Sequence, residues 1–270
     1  MTTTGRILCF VSALIVSPLG ALAQSAGRPP NHYALRKDSG YESGCFAPCL
    51  CPVMLRGPVR GGFRLTFTGS DPLFDHYLVD QVKWTVRQQS GDLHVSGSGT
   101  YKVGGEFARQ HQLSLDLQVG NDPVQHFDSG LVTPTSAFPA IDARISINGE
   151  VCHDTVFDLR ARPVRDINVN ATSIYWSAEP AVDAHDVVWG SLRALWDSRG
   201  DFSTAVTGCL ANDMAGDWAP LSVGDPAPGD GFFFLLRDVE AGLPDSFDSG
   251  LPTQAAPSDD LIGASASTCP

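Results

Sequence analysis

The sequence predicts an all-β protein of two domains, the first an antiparallel β-sandwich or small barrel and the second also built of strands, and three observations predict it. Apolar and polar residues alternate with a period of two in several separate stretches, the pattern of strands with one buried and one wet face. Glycine and proline, 27 and 19 of them, recur at short intervals and cut the chain into strand-length pieces joined by turns. Helical periodicity is missing over any length, apart from a turn or two near Ser191 to Trp196.

The first residues concern export rather than fold. Residues 1–23 carry one charge, Arg6, then an apolar run from Ile7 to Val16, the helix-breaking Pro18-Leu19-Gly20, and Ala21-Leu22-Ala23 ahead of Gln24. This reads as a secretory signal peptide with a small-residue cleavage site. A membrane anchor needs about 20 uninterrupted apolar residues, and Pro18 and Gly20 stop the run short. The mature chain is therefore expected to be secreted, periplasmic or extracellular, with no integral membrane segment. Residues 24–31 are rich in Gly, Pro and Ser and are expected as a flexible lead-in.

Charge narrows the partners. Eighteen basic residues face 30 acidic ones, and loss of Arg6 with the leader moves the formal net charge from −12 to −13. Such a surface repels nucleic acid and anionic lipid. An extracellular protein or glycan partner is expected, and no cofactor.

The basic, Pro-broken stretch Arg160-Ala161-Arg162-Pro163-Val164-Arg165 marks the expected boundary between an N-terminal domain, 32–164, and a second, 165–270. Four of the five tryptophans (176, 189, 196 and 218) lie beyond it, with Trp84 before. In the first domain Phe63, Leu65 and Phe67 alternate with Arg64, Thr66 and Thr68; Val82, Trp84 and Val86 repeat the pattern, as do Leu113, Leu115, Leu117 and Val119. Asn148-Gly149, between two short apolar strands, suggests a type I′ hairpin turn with positive φ at both central residues. Successive strands are thus expected to be neighbours.

Cys9 leaves with the leader, so six of the seven cysteines remain, an even number for an oxidising compartment. Cys45, Cys49, Cys51 and Cys152 belong to the first domain. Two disulfides among them allow three connectivities, and a bond from Cys152 to the N-terminal cluster closes a loop of about 100 residues, contributing roughly 4 to 5 kcal/mol. The rival reading is a metal or redox centre in which Cys45, Cys49, Cys51 and Cys152 supply sulfur and His153 a nitrogen. Only one residue separates Cys49 from Cys51, where structural zinc sites favour two to four, so disulfides are preferred.

His76, His153 and His185 each adjoin an aspartate, Asp75, Asp154 and Asp186. Neighbours on a strand point to opposite faces, so these pairs are not expected to share a site. His111 and His126 fall on or near strands and are as readily solvent-facing. Ser96-Gly97-Ser98-Gly99 lacks the spacing of a nucleophile elbow, and there is no His-Glu-x-x-His. No catalytic residue is assigned. A third, weaker reading is a hydrolase assembled across strands from His and Asp side chains.

In the second domain, Asn170 to Trp176 reads as an early strand with a core Trp176, His185-Asp186-Val187-Val188-Trp189-Gly190 as a later one, and Phe232 to Val239 as an aromatic-rich strand. Together with Cys209-Leu210-Ala211, the Pro226, Pro228, Gly229, Gly231, Phe232 stretch and the terminal Cys269-Pro270, this resembles a fibronectin type III-like module of exported bacterial proteins. His185 and Trp189 stand where that pattern has tyrosine and arginine, and Phe232 to Phe234 supply no tyrosine-corner hydroxyl. The resemblance implies a spacer or interaction module, and with it Cys209 and Cys269 become the natural pair, a bond that would pin a C-terminal strand. Asp213, Asp217, Asp225 and Asp230 are acidic loop residues to weigh as a calcium site, although they lack a fixed-spacing loop. Phe127-Asp128-Ser129-Gly130-Leu131 recurs from Phe247 to Leu251, a shared turn motif rather than a duplicated domain.

The reading that follows is a secreted or surface-associated, non-enzymatic binding or structural protein. The alternative is an exported metal-binding or redox protein centred on the four cysteines.

Overall fold

The computed structural model describes residues 31–49, 53–177, 182–249 and 254–270. The expected signal peptide, residues 24–30 of the lead-in, Cys51, Pro180 and Leu251 lie outside these residues.

The chain is all-β. Nine strands make the first sheet: β1 (Asn31–Leu35), β2 (Gly40–Cys45), β3 (Met54–Ser70), β4 (Phe74–Val86), β5 (Leu93–Gly104), β6 (Gln110–Val119), β7 (Gln125–Asp128), β8 (Ile141–Ser146) and β9 (His153–Pro163). From β3 to β9 each strand pairs antiparallel with the next. The circuit then closes through β1 and β2, which share one position between β9 and β3: β2 bridges Cys45↔His153 to Gly40↔Asp158, and β1 continues at Leu35↔Ala161 to Tyr33↔Pro163. On the other side β3 meets β2 through Met54 to Pro58 and β1 through Gly62 to Leu65. The result is a closed barrel whose lightest seam is β7 to β8, joined at Asp128↔Ser146.

The alternating residues point inward. Phe63, Leu65, Trp84, Leu113, Leu115, Leu117, Phe127 and Phe157 are buried in one core with Tyr33 and Tyr101, so the interior is packed with side chains. An extra residue at Gln81 (φ 53°) shifts the β4–β5 register between Val79 and Val82, and this bulge keeps Tyr77, Val79, Val82 and Trp84 on one face. Gly97 and Gly99 of β5 lie so close to β6 that a Cβ on Gly99 would sit 2.1 Å from the Ser114 carbonyl oxygen and 3.0 Å from Leu115 Cδ2.

The second domain is a sandwich. β10 (Ile167–Val169), β11 (Ser173–Trp176) and β14 (Trp218–Pro220) form one sheet in the order β10-β11-β14. β12 (Ala184–Ser191), β13 (Val206–Met214), β15 (Phe232–Glu240) and β16 (Leu243–Pro244) form the other, in the order β13-β12-β15-β16. Ile174, Trp176 and Ala219 of the first sheet pack against Val187, Ala211, Phe234 and Leu236 of the second. The opposite face of the larger sheet, with Val188 and Leu235, is covered by Phe247, Ile262 and Cys269. Between β12 and β13 run α1 (Leu192–Asp197), capped by the Ser191 hydroxyl accepting from Ala194 N–H, and α2 (Phe202–Ala205). The Ser191 to Trp196 turn read from the sequence is thus a capped helix.

Three expectations need correction. The Asn148-Gly149 segment is not a two-residue turn: β8 ends at Ser146, β9 begins at His153, and positive φ falls on Gly149, Glu150 and Cys152. The buried Asp154 carboxylate widens this loop by accepting from the N–H groups of Ile147, Asn148, Glu150 and Thr155. His111 does not face solvent; it is 1% exposed, bonded to the Tyr101 hydroxyl at 3.2 Å. The segment that Cys269 pins is not a strand but an irregular tail containing α3 (Asp259–Ala264).

Gly99→Ala is expected to destabilise the protein by about 1 to 3 kcal/mol, because the added methyl forces β5 and β6 apart. A urea titration of the variant, read against the parent midpoint, checks it.

Candidate functional site

The pairing of β2 with β9 carries the cysteine-rich segment to the β8–β9 loop. Cys45 lies opposite His153, and Phe46 N–H donates to the Cys152 carbonyl at 2.8 Å. There Cys49 and Cys152 form a disulfide across 103 residues of sequence, and Cys209 and Cys269 form a second across 60. Cys45 is also disulfide-bonded. Two of the four sulfurs weighed as a thiolate set are therefore joined to one another, and His153 lies exposed on β9. Among the described residues no three His, Cys, Asp or Glu side chains group as a metal site. Asp230, considered for calcium, instead accepts from Ser191 Oγ, Arg193 N–H and Gly231 N–H; the Arg193 bond leads in holding its carboxyl low.

Each histidine weighed with a neighbouring aspartate, where it has a carboxylate partner, uses a different one. His76 Nε2 meets Asp71 at 2.7 Å and His185 Nδ1 meets Asp238 at 3.1 Å. On the outer face of the barrel, the register Asp116↔His126 brings His126 together with Ser114 and Asp116, a grouping that sequence reasoning missed. Ser114 Oγ lies 3.2 Å from His126 Nε2, and His126 Nδ1 lies 2.8 Å from Asp116 Oδ1. The one-residue spacing of Ser114 and Asp116 was the available signal, but it needed the β6–β7 register to bring His126 beside them. The His126 and Asp116 side chains are 62% and 65% exposed.

The most heavily charged buried region is the junction of the two domains. Arg36, in the β1–β2 turn and 11% exposed, pairs with Glu240 and lies 3.5 Å from Asp245. The neighbouring Lys37 N–H donates to Asp245 Oδ1 at 3.0 Å. Lys37 Nζ faces Asp259 at 3.8 Å, Arg87 meets Asp260 at 2.8 Å, and Arg162 reaches Glu240 at 4.0 Å. Among the described residues, every ion pair across the junction has its cation on the barrel and its anion on the sandwich. Behind it Arg162 is fixed by Asp142 at 2.8 Å, both side chains 7% exposed, and Asp238 bridges Arg165 and His185. A cavity of about 160 Å³, lined by Leu35, Pro163, Ile167, Leu236, Asp245 and Phe247 among others, lies between the domains. Burial pushes the Asp245 carboxyl above its usual value, against the pull of Arg36. Asp142 moves the other way: burial opposes the shift, but hydrogen bonds from Arg162 and Ser136 and the charges of Arg162 and Arg160 carry it below the usual carboxylate range.

Away from the junction, large apolar side chains stand in solvent. Phe107, in the β5–β6 loop, is 96% exposed, and Trp196, on α1, 82%. Tyr175 and Trp218 are register partners on the outer side of the three-stranded sheet, and both are exposed. Comparison with protein-family models, curated proteins and solved structures returned no match. No helix among the described residues is long and apolar enough to cross a membrane.

Asp142→Asn is expected to cost roughly 3 kcal/mol at neutral pH, the low end for breaking a buried pair, since Arg162 keeps Glu240 at 4.0 Å. Because the folded-state carboxyl of Asp142 is lowered, its contribution is complete above the usual carboxylate range and disappears as pH falls through the lowered value. Urea titrations at neutral and strongly acidic pH should show the gap between variant and parent narrowing in acid.

Proposed function

We propose that the chain is an exported, secreted or surface-associated, non-enzymatic protein in which a rigid barrel is presented to an extracellular protein or glycan by a fibronectin type III-like module. The observation that carries this reading is the pair of disulfides, one tying the chain after β2 to the β8–β9 loop of the barrel and one fastening the end of the sandwich. Bonds of this kind persist in oxidising compartments and are rare in the cytosol. The allocation of strands supports the module: the first, second and fifth strands of the domain share one sheet, and the third, fourth, sixth and seventh share the other, as in fibronectin type III sandwiches. The packed barrel core leaves recognition to the outer surface, where Phe107 of the barrel, and Trp196, Tyr175 and Trp218 of the module beside it, offer apolar contact area.

A second reading rests on Ser114, His126 and Asp116, whose order of contacts is that of an acyl-transfer triad. It ranks lower because the group stands open to water on a sheet face. The β6 and β7 backbones that flank it are committed to ladder pairing, which leaves them poorly placed to stabilise an oxyanion.

The expected result for native producing cells is protein in the exported fraction, with a mass corresponding to cleavage after Ala23, no titratable thiol before or after denaturation, and no stoichiometric metal. About four thiols with one bound zinc or copper would replace this reading with the metal centre. Labelling of Ser114 by a fluorophosphonate, abolished by His126→Ala, would promote the hydrolase reading.

A further inference from the structure

The tail beyond β16 touches both domains. On one side Ile262 and Cys269, 0% and 3% exposed, pack with Val188, Val206 and Leu235 on the face of the larger sheet that points away from the β10-β11-β14 sheet. The Cys209–Cys269 bond fixes the far end of this tail to β13. On the other side Asp260 meets Arg87 of the barrel, Asp259 faces Lys37, and the Gln254 carbonyl accepts from Lys83 Nζ at 3.5 Å.

The tail also holds the 245–248 loop, which meets the β1–β2 turn of the barrel through Asp245. Asp259 accepts from Ser246 Oγ at 2.7 Å and from Phe247 N–H at 2.8 Å. Asp248 Oδ1 accepts from Ser258 N–H and Ser258 Oγ, and from Gln254 Nε2. Together with the Asp245 N–H, which donates to the Asp238 carbonyl of β15 at 2.8 Å, these bonds place Asp245, just before Ser246, where it receives the Lys37 N–H and faces Arg36. A continuous chain of contacts thus runs from the disulfide through α3 and the 245–248 loop to the β1–β2 turn.

We propose that residues 254–270 act as a strap holding the barrel to the sandwich, and that the Cys209–Cys269 bond is its fastening, opened by a dithiol reductant. In that step each sulfur gains one electron and one proton while the two thiols of the reductant become a disulfide. Cys209, half-buried, is the less covered of the two and the side from which a reductant would approach, since Cys269 is 3% exposed. With the fastening open, α3 and the tail are held by a small apolar contact, by the hydrogen bonds to the 245–248 loop and by surface ion pairs of little individual strength, and Asp245 loses part of the support that keeps it against Arg36.

Amide hydrogen exchange on the full mature protein tests this. In Cys209→Ser/Cys269→Ser, with Cys49–Cys152 intact, the Phe247 and Lys37 amides are expected to exchange at least about tenfold faster, while β5 and β6 amides keep the parent rate. Should β12 and β15 also lose protection in that variant, Asp259→Ala, which keeps the disulfide, separates release of the strap from unfolding of the sandwich. It is expected to speed Phe247 and Lys37 with β12 and β15 unchanged. A Lys37 amide that exchanges at the parent rate in either variant overturns the proposal.

Discussion

Strand β3 sets the geometry on which the rest depends. Along one edge it pairs with β4 from Val59 to Ser70, while its other edge is divided between β2 and β1. β9 divides its edge in the same way. The ring can close only if the chain between β1 and β2 reverses at the changeover, and the turn around Arg36 to Ser39 does so. Ser39 fastens it, with its hydroxyl donating to the Arg160 carbonyl and its own carbonyl accepting Val59 N–H. Closure of the barrel therefore also fixes where Arg36 and Lys37 point, which is at the second domain, and where Cys49 ends, which is beside Cys152.

The charges at the junction follow from that placement. In a chain with 18 basic residues against 30 acidic ones, Arg36, Lys37, Arg87 and Arg162 all face the sandwich, and carboxylates answer each of them. Ion pairs with low exposure gain little net stability, because desolvation offsets most of the attraction. They do penalise every other orientation, since a rotated domain would strand a buried Arg36 or Asp245 without its counterion. Orientation is accordingly the property this network supplies, and the apolar cores of the two domains supply the stability.

Much of the fold was legible because burial writes a period of two into the sequence. Phe63, Trp84 and Leu115 announce their faces without help from any other part of the chain. What was not legible depended on register. His111 has an ordinary surface residue on each side in sequence, and only the meeting of Tyr101 with β6 makes it a core residue. Asn148-Gly149 carries a strong local turn signal, yet Asp154, several residues on, reorganises the loop by taking four backbone N–H groups. Ser114, His126 and Asp116 come together through a strand pairing that spacing alone does not specify, and Cys49 was one of three equivalent partners for Cys152 until β2 was seated beside β9.

The two disulfides also divide the chain into protected and unprotected lengths. Cys49–Cys152 and Cys209–Cys269 enclose most of the barrel and the end of the sandwich. A protease that nicks the exposed Phe107 loop, or the loop around Asp225, leaves both pieces covalently tied. Between His153 and Gly208 neither bond bridges a cut, so hydrolysis there divides the chain unless Cys45 is joined across it. In the presence of a protease, the lifetime of the protein as a single molecule therefore depends on the stretch from the boundary through β10 to α2 far more than on the Phe107 and Asp225 loops.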